Sequence, residues 1–196
     1  SVNKDWNVIT RTIVPVISQP PTAPGFDRTN AIGDIQFTAF LSPANDAGLI
    51  WGVGAIAQLP THGDSLGNSR WGLGPSAVVL RMEKGSPWVY GFLVNNTWSV
   101  GSAGSDPGYS NFLLQPFLNY NFSDGLYLTS SPVITANWKA DSGDRWTVPL
   151  GAGVGKIWRL GKLPVNTQLQ AFYNVEKPRD GSDWQLRFQV QFLFPK

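Results

Sequence analysis

The chain has no cysteine, one histidine and one methionine, and only 14% of its 196 residues are charged. Each shortage excludes something. Without cysteine there is no disulfide framework, no thiolate metal site and no cysteine nucleophile. The one histidine, His62, lies in a turn-rich stretch beside Gly63, Asp64 and Ser65, so any Ser-His-Asp triad would have to use it. A lone loop histidine among polar neighbours reads as solvated. Almost every Asp and Glu falls in a turn, which leaves no carboxylate pair for glycoside hydrolysis, and no calcium-loop spacing appears. The chain therefore reads as a non-enzyme, with no catalytic residue, no metal site and no cofactor. A net charge of +2 and a pI near 9.0, with no Lys/Arg cluster, give no footprint for nucleic acid.

Long apolar runs are missing too. No stretch approaches the roughly 18 residues of a membrane-crossing helix, so a bilayer could be crossed only by strands. A mean hydropathy of −0.12 does not oppose that, because half of each barrel strand faces water. No targeting segment is read at Ser1, and no linker or low-complexity tract divides the chain, so residues 1–196 are expected to form a single domain.

What is present is alternation. In Trp184-Gln185-Leu186-Arg187-Phe188-Gln189-Val190-Gln191-Phe192-Leu193-Phe194 the even positions are all apolar, while the odd ones read Gln, Arg, Gln, Gln, Leu. Strict period-two alternation predicts a strand with one apolar and one polar face. Strands are expected near Trp6 to Ile17, Gly33 to Leu41, Ile50 to Leu59, Trp71 to Met82, Trp88 to Trp98, Asn111 to Phe122, Leu126 to Trp138, Arg145 to Arg159, Val165 to Val175 and Trp184 to Phe194. Turn clusters such as Lys84-Gly85 and Ser123-Asp124-Gly125 separate them and make neighbours antiparallel. The expected fold is all-β, an antiparallel up-and-down transmembrane β-barrel of about ten strands.

Three further signals turn the apolar face outward. Connections around residues 18–32, 60–70, 99–110, 139–144 and 176–183 are longer; those around 42–49, 83–87, 123–125 and 160–164 are mostly shorter. Outer-membrane barrels alternate long extracellular loops with short periplasmic turns, which here puts both chain ends on the periplasmic side. Trp6, Trp51, Trp71, Trp88, Trp98, Trp138, Trp146, Trp158 and Trp184 all fall near expected strand ends, where interfacial aromatics belong. Packing in a soluble β core is the bland alternative for them. On the outward face the charged residues are Arg81 and Lys156, both at expected periplasmic ends, where long side chains snorkel to the membrane interface. A soluble sandwich with its apolar faces turned inward is the rival architecture; the low charge, the loop alternation and the small uncharged residues of the polar face weigh against it.

The polar face would line the lumen. It carries Arg11, Asp34, Gln36, Gln58, Gln115, Asn119, Tyr127, Thr129, Thr135, Asn137, Lys139, Gln168, Gln170, Gln185, Arg187, Gln189 and Gln191. Such a wall either lines a narrow solute path, biased by Arg11, Lys139 and Arg187, or hydrogen-bonds to itself and plugs the barrel. Gly52-Val53-Gly54, Gly72-Leu73-Gly74 and Gly151-Ala152-Gly153-Val154-Gly155 lie inside strands and open no helix, so they are not phosphate cradles. They make room for a solute, an inserted loop or close strand packing. The Pro-rich stretch Ser18-Gln19-Pro20-Pro21-Thr22-Ala23-Pro24-Gly25-Phe26-Asp27-Arg28 would either cover the mouth or meet another protein.

Several segments also resemble one bacterial outer-membrane family. These are Asp5-Trp6-Asn7-Val8-Ile9-Thr10-Arg11-Thr12-Ile13-Val14-Pro15-Val16-Ile17, Gly74-Pro75-Ser76, Gln115-Pro116-Phe117-Leu118-Asn119-Tyr120-Asn121, Leu128-Thr129-Ser130-Ser131-Pro132, Trp146-Thr147-Val148-Pro149-Leu150-Gly151 and Trp184-Gln185-Leu186-Arg187-Phe188. They are similar to the family labelled "MetA-pathway of phenol degradation", whose members are often called neuromedin U or simply transporter. The resemblance implies a Gram-negative outer-membrane barrel that moves small molecules, aromatic ones among them, with lipid and solute as its partners and no catalytic residue. It also implies about two strands ahead of Trp6, giving twelve in all. A closed structural barrel whose loops bind a partner is the second functional expectation.

Overall fold

The computed structural model describes residues 5–19, 29–44, 48–61, 69–101, 107–161 and 163–193. Thirteen strands account for most of them: β1 (Trp6–Ile13), β2 (Val16–Gln19), β3 (Thr29–Ile32), β4 (Ile35–Pro43), β5 (Leu49–Leu59), β6 (Trp71–Met82), β7 (Trp88–Val100), β8 (Ser110–Asn121), β9 (Leu126–Ser130), β10 (Ile134–Asn137), β11 (Trp146–Leu160), β12 (Leu163–Glu176) and β13 (Trp184–Phe192). Among the described residues the only helical element is a 3₁₀ turn, Ser142–Asp144.

Eleven strands form one sheet in the order β1-β4-β5-β6-β7-β8-β10-β11-β12-β13, and β9 pairs with β8 and β11, so β9 and β10 share one place in the order. The registers are antiparallel at β1–β4, β4–β5, β8–β9, β9–β11, β10–β11, β11–β12 and β12–β13, as in Leu169↔Phe188 and Val154↔Leu169. Within this sheet each strand lies beside its predecessor, the path of an all-β up-and-down fold and consistent with a barrel. Tight turns make this path local. Gly125, with φ +81°, sits where a Cβ would meet the Ile157 carbonyl oxygen at 2.9 Å, so the β8–β9 turn needs glycine there.

Two expected strands are interrupted. The one over Trp6 to Ile17 stops at Ile13, because Pro15 offers no N–H; its carbonyl accepts from the Gly33 N–H at 2.8 Å, and the chain turns into a separate β2–β3 hairpin. The one over Leu126 to Trp138 breaks at Ser131–Val133. Most of the Pro-rich stretch, residues 20–28, lies outside the described residues, as do His62 and Phe194.

The chain divides into two compact units: Ser1–Ala44, Gly52–Ala77 and Asn95–Asn111 in one, Asn45–Trp51, Val78–Val94 and Phe112–Lys196 in the other. In the first, Phe37, Leu41, Val53 and Leu73 are exposed, while Thr38, Ser42, Ser76 and Thr97 are buried. In the second, Leu186 and Phe188 are 62% and 68% exposed while Gln170 is 1% exposed. Both units thus invert the usual burial preference. The buried face is not uniformly polar, however. Phe40 and Ile56 share it in the first unit, and Leu93, Tyr127 and Phe172 in the second, so apolar side chains fill space between the predicted polar ones.

Candidate functional site

Three consecutive positions on the inward-turned face of β11 are glycines: Gly151, Gly153 and Gly155. Their pairing partners on β12 are Phe172, Gln170 and Gln168, and on β9 Gly153 and Gly155 pair with Thr129 and Tyr127. A side chain on Gly155 would place its Cβ 2.2 Å from the Tyr127 ring, and one on Gly153 would meet the Leu169 carbonyl oxygen at 1.9 Å. Of the three roles the sequence left open for these glycines, close packing is therefore the one the geometry displays. The bare strip is a trough across which β9 and β12 side chains meet. Within it the Tyr127 hydroxyl donates to Asn166 Oδ1 at 2.6 Å.

One step along the strip, Gln170 reaches over Gly153 to the break between β9 and β10. Its Oε1 accepts from the Ser131 N–H at 3.0 Å and the Ser131 hydroxyl at 3.1 Å. Its Nε2 lies 2.9 Å from Ser131 Oγ and donates to Gln168 Oε1 at 3.0 Å. Arg187 of β13 adds a hydrogen bond to Ser131 Oγ at 2.9 Å and another to the Ser131 carbonyl, a carbonyl that Gln115 Nε2 reaches at 3.5 Å. The Arg187 guanidinium also lies 4.8 Å from the centre of the Phe172 ring, a cation–π distance. Side chains from β8, β12 and β13 thus converge on one backbone residue. Buried amides and cations are retained only where hydrogen bonds replace water, and this knot supplies them to the Gln170 amide and to Nη2 of Arg187.

The remaining predicted wall residues are less tightly joined. Gln185 donates to Asn174 Oδ1 at 3.0 Å, and Asn174 to the Ser182 carbonyl at 2.8 Å. Gln189 and Gln191, opposite Gln168 and Asn166, are half-buried. Asn119 faces the buried Thr129, and its Oδ1 is buried without a hydrogen bond. In the first unit, Gln58 Nε2 donates to the buried Asp34 at 3.0 Å, Gln36 pairs with Gln58 and Arg11 with Thr38. Thr135 is half-buried on β10. Asn137 and Lys139 depart from the expected wall: β10 ends at Asn137, both are exposed, and the Lys139 N–H closes a turn on Asn137 Oδ1 at 3.1 Å. Missing from the predicted wall were Ser131, which follows the end of β9, Asn166, and the buried Thr38, Ser42, Ser76, Asn95, Thr97, Ser110 and Asn174. The signal for Ser131 lay in its neighbour Pro132.

All nine tryptophans fall at or near strand ends. Trp6, Trp71, Trp88, Trp146 and Trp184 open their strands, Trp51, Trp98 and Trp158 lie within three residues of an end, and Trp138 follows β10. Trp138, Trp146 and Phe112 form a cluster with ring centres 5.6 to 6.1 Å apart. Lys156 sits 3.5 Å from Asp124 and 5.1 Å from the Trp158 ring, and Arg81 pairs with Glu83. Beyond the strands, Arg179 grips Asp144 with its guanidinium at 2.7 Å and its backbone N–H at 2.9 Å, holding that carboxyl below its ordinary value. Asp124 is lowered too, chiefly by the hydrogen bond from the Leu126 N–H, which outweighs the opposing loss of water around the carboxyl, with a lesser contribution from Lys156.

Among the described residues no group of three His, Cys, Asp or Glu side chains could hold a metal, and no helix is long and apolar enough to cross a membrane. No family model, no curated protein and no solved structure matches the chain.

Proposed function

We propose that the chain is a β-barrel of the Gram-negative outer membrane that provides a narrow passive path for small molecules. The observation that carries this reading is the inversion of burial: Leu169, Leu186, Phe188 and Val154 are exposed beside a buried Gln170 and Thr129. In water such a surface would be one long apolar patch, whereas in lipid it is the favourable face. Strand-end tryptophans and Arg81, one residue from the end of β6, fit the interfaces, as does Lys156, four residues inside β11 but opposite the first residue of β9 and within reach of Asp124. Similarity to the phenol-degradation outer-membrane family supports the same reading, with lipid and small solutes as partners and both termini towards the periplasm.

A second reading, a closed structural barrel, is favoured by the hydrogen bonding of Gln170 and Arg187 to Ser131. Fractionation followed by planar-bilayer recording tests both. Recovery in the outer-membrane fraction with small conductance steps is expected. Recovery there with no current above background selects the closed barrel, and a protein soluble without detergent rules out both.

A further inference from the structure

The break between β9 and β10 differs from an ordinary irregularity. Thr129 pairs with Gly153 and Thr135 with Thr147, so the residue numbers sum to 282 on both sides and no residue is inserted. Between them, Ser130 to Ile134 face Val148 to Ala152 without ladder pairing. Prolines explain the gap. Pro132 and Pro149 lie on its two sides, and counting on from Leu118↔Ser130 places Pro116 of β8 opposite Pro132. None of the three has an N–H to give the sheet.

This matters because parting two strands in lipid normally strands ladder N–H and C=O groups without water. Here much of that loss is already absent. The Ser131 N–H and carbonyl bond to Gln170 and Arg187 rather than to β11, and a side-chain bond from Ser130 Oγ to the Gly151 carbonyl, 2.7 Å, crosses the gap. On the exposed face the gap is bordered by Pro132 and Leu150, neither of them ionisable; Leu150 is 57% exposed. On the other face lies the polar knot.

We propose that this gap is a lateral opening in the wall, through which small uncharged apolar solutes pass between the polar face and the lipid. The bonds among Ser131, Gln170 and Arg187 hold it shut. This inference rests on the membrane reading above. Charged solutes are excluded because their exit would place an ion in hydrocarbon.

Because the chain has no cysteine, the pair Ser130→Cys and Ala152→Cys, opposed across the gap on the exposed face, can form only one intramolecular disulfide. The probe is N-phenyl-1-naphthylamine, an uncharged dye that fluoresces in lipid, added to Gram-negative cells expressing each variant. The expected result is that the wild-type chain speeds dye entry, the cross-linked variant loses this gain, and a reductant restores it. Gln170→Ala is expected to enter dye faster than wild type. Dye entry by the cross-linked variant equal to wild type, with the disulfide verified by mass, overturns the opening whatever Gln170→Ala does. Planar-bilayer conductance separates this from the path itself: conductance retained while dye entry is lost supports a lateral exit. A wild-type chain in the outer-membrane fraction with neither dye entry nor conductance defeats the opening and the path together.

Discussion

Leu169 offers the sharpest test of which solvent meets the exposed face. It lies six residues from one end of β12 and seven from the other, flanked by Val154 and Phe188 on neighbouring strands. Six residues at about 3.3 Å each give roughly 20 Å along the strand. At a tilt of about 45° this is ~14 Å of depth, close to half of a ~30 Å hydrocarbon core. Leu169→Arg should therefore cost about 2 to 4 kcal/mol, the value for a cation at the bilayer midplane. Val175→Arg, on the same face but one residue from the end of β12, should cost about 0 to 1 kcal/mol. The assay is reversible guanidinium unfolding from phospholipid vesicles, followed by tryptophan fluorescence. In water both substitutions would add a charge to an exposed position and change stability by about 0.5 kcal/mol or less. Equal costs at the two depths, or a Leu169→Arg variant as stable as wild type, would refute a lipid-facing row.

Three other outcomes follow from the interior and the loops. Gly155→Val should lose about 1 to 3 kcal/mol or more, because the Tyr127 ring occupies the space; adding Tyr127→Ala should recover part of the loss, a coupling read from the double-mutant cycle. Gln170→Ala leaves the Ser131 N–H without its acceptor and should cost about 1 to 3 kcal/mol in the same unfolding assay, whereas half-buried Gln189→Ala should cost well under that. Asp144 is held below its ordinary value of 3.8 by Arg179, so its contribution is fully present above that pH and is lost as pH falls through the depressed folded value. Hydrogen exchange at the Arg179 amide should accordingly stay protected at pH 5 and lose protection only at still lower pH; protection that disappears between pH 7 and 5 contradicts this assignment.

Period two is a local property, and it made the strands readable. Every expected strand has a counterpart, and the exposed set Trp184, Leu186, Phe188, Val190 and Phe192 is the apolar set of the sequence. Proline effects were harder to see. Val16 and Ile17 continue the apolar pattern of β1, but Pro15 ends its ladder, and Pro132 breaks a strand only because Pro116 and Pro149 are brought beside it by pairing. The knot at Ser131 joins residues 39 and 56 positions apart, a distance at which no spacing rule operates. Asn137 and Lys139 kept the polar parity of the strand, yet β10 ends at Asn137 and the chain turns directly after it.

The glycine strip of β11 changes what adjacency means in this sheet. Tyr127 touches Asn166, and Ser131 touches Gln170, although β9 and β12 are separated by β11. Selection on side-chain size and polarity should consequently couple positions of β9 and β12 more strongly than either couples to β11. Among natural variants, correlated substitutions at 131 and 170 would suggest neighbouring strands where none exist, and a strand order inferred from such correlations would drop β11 from the wall.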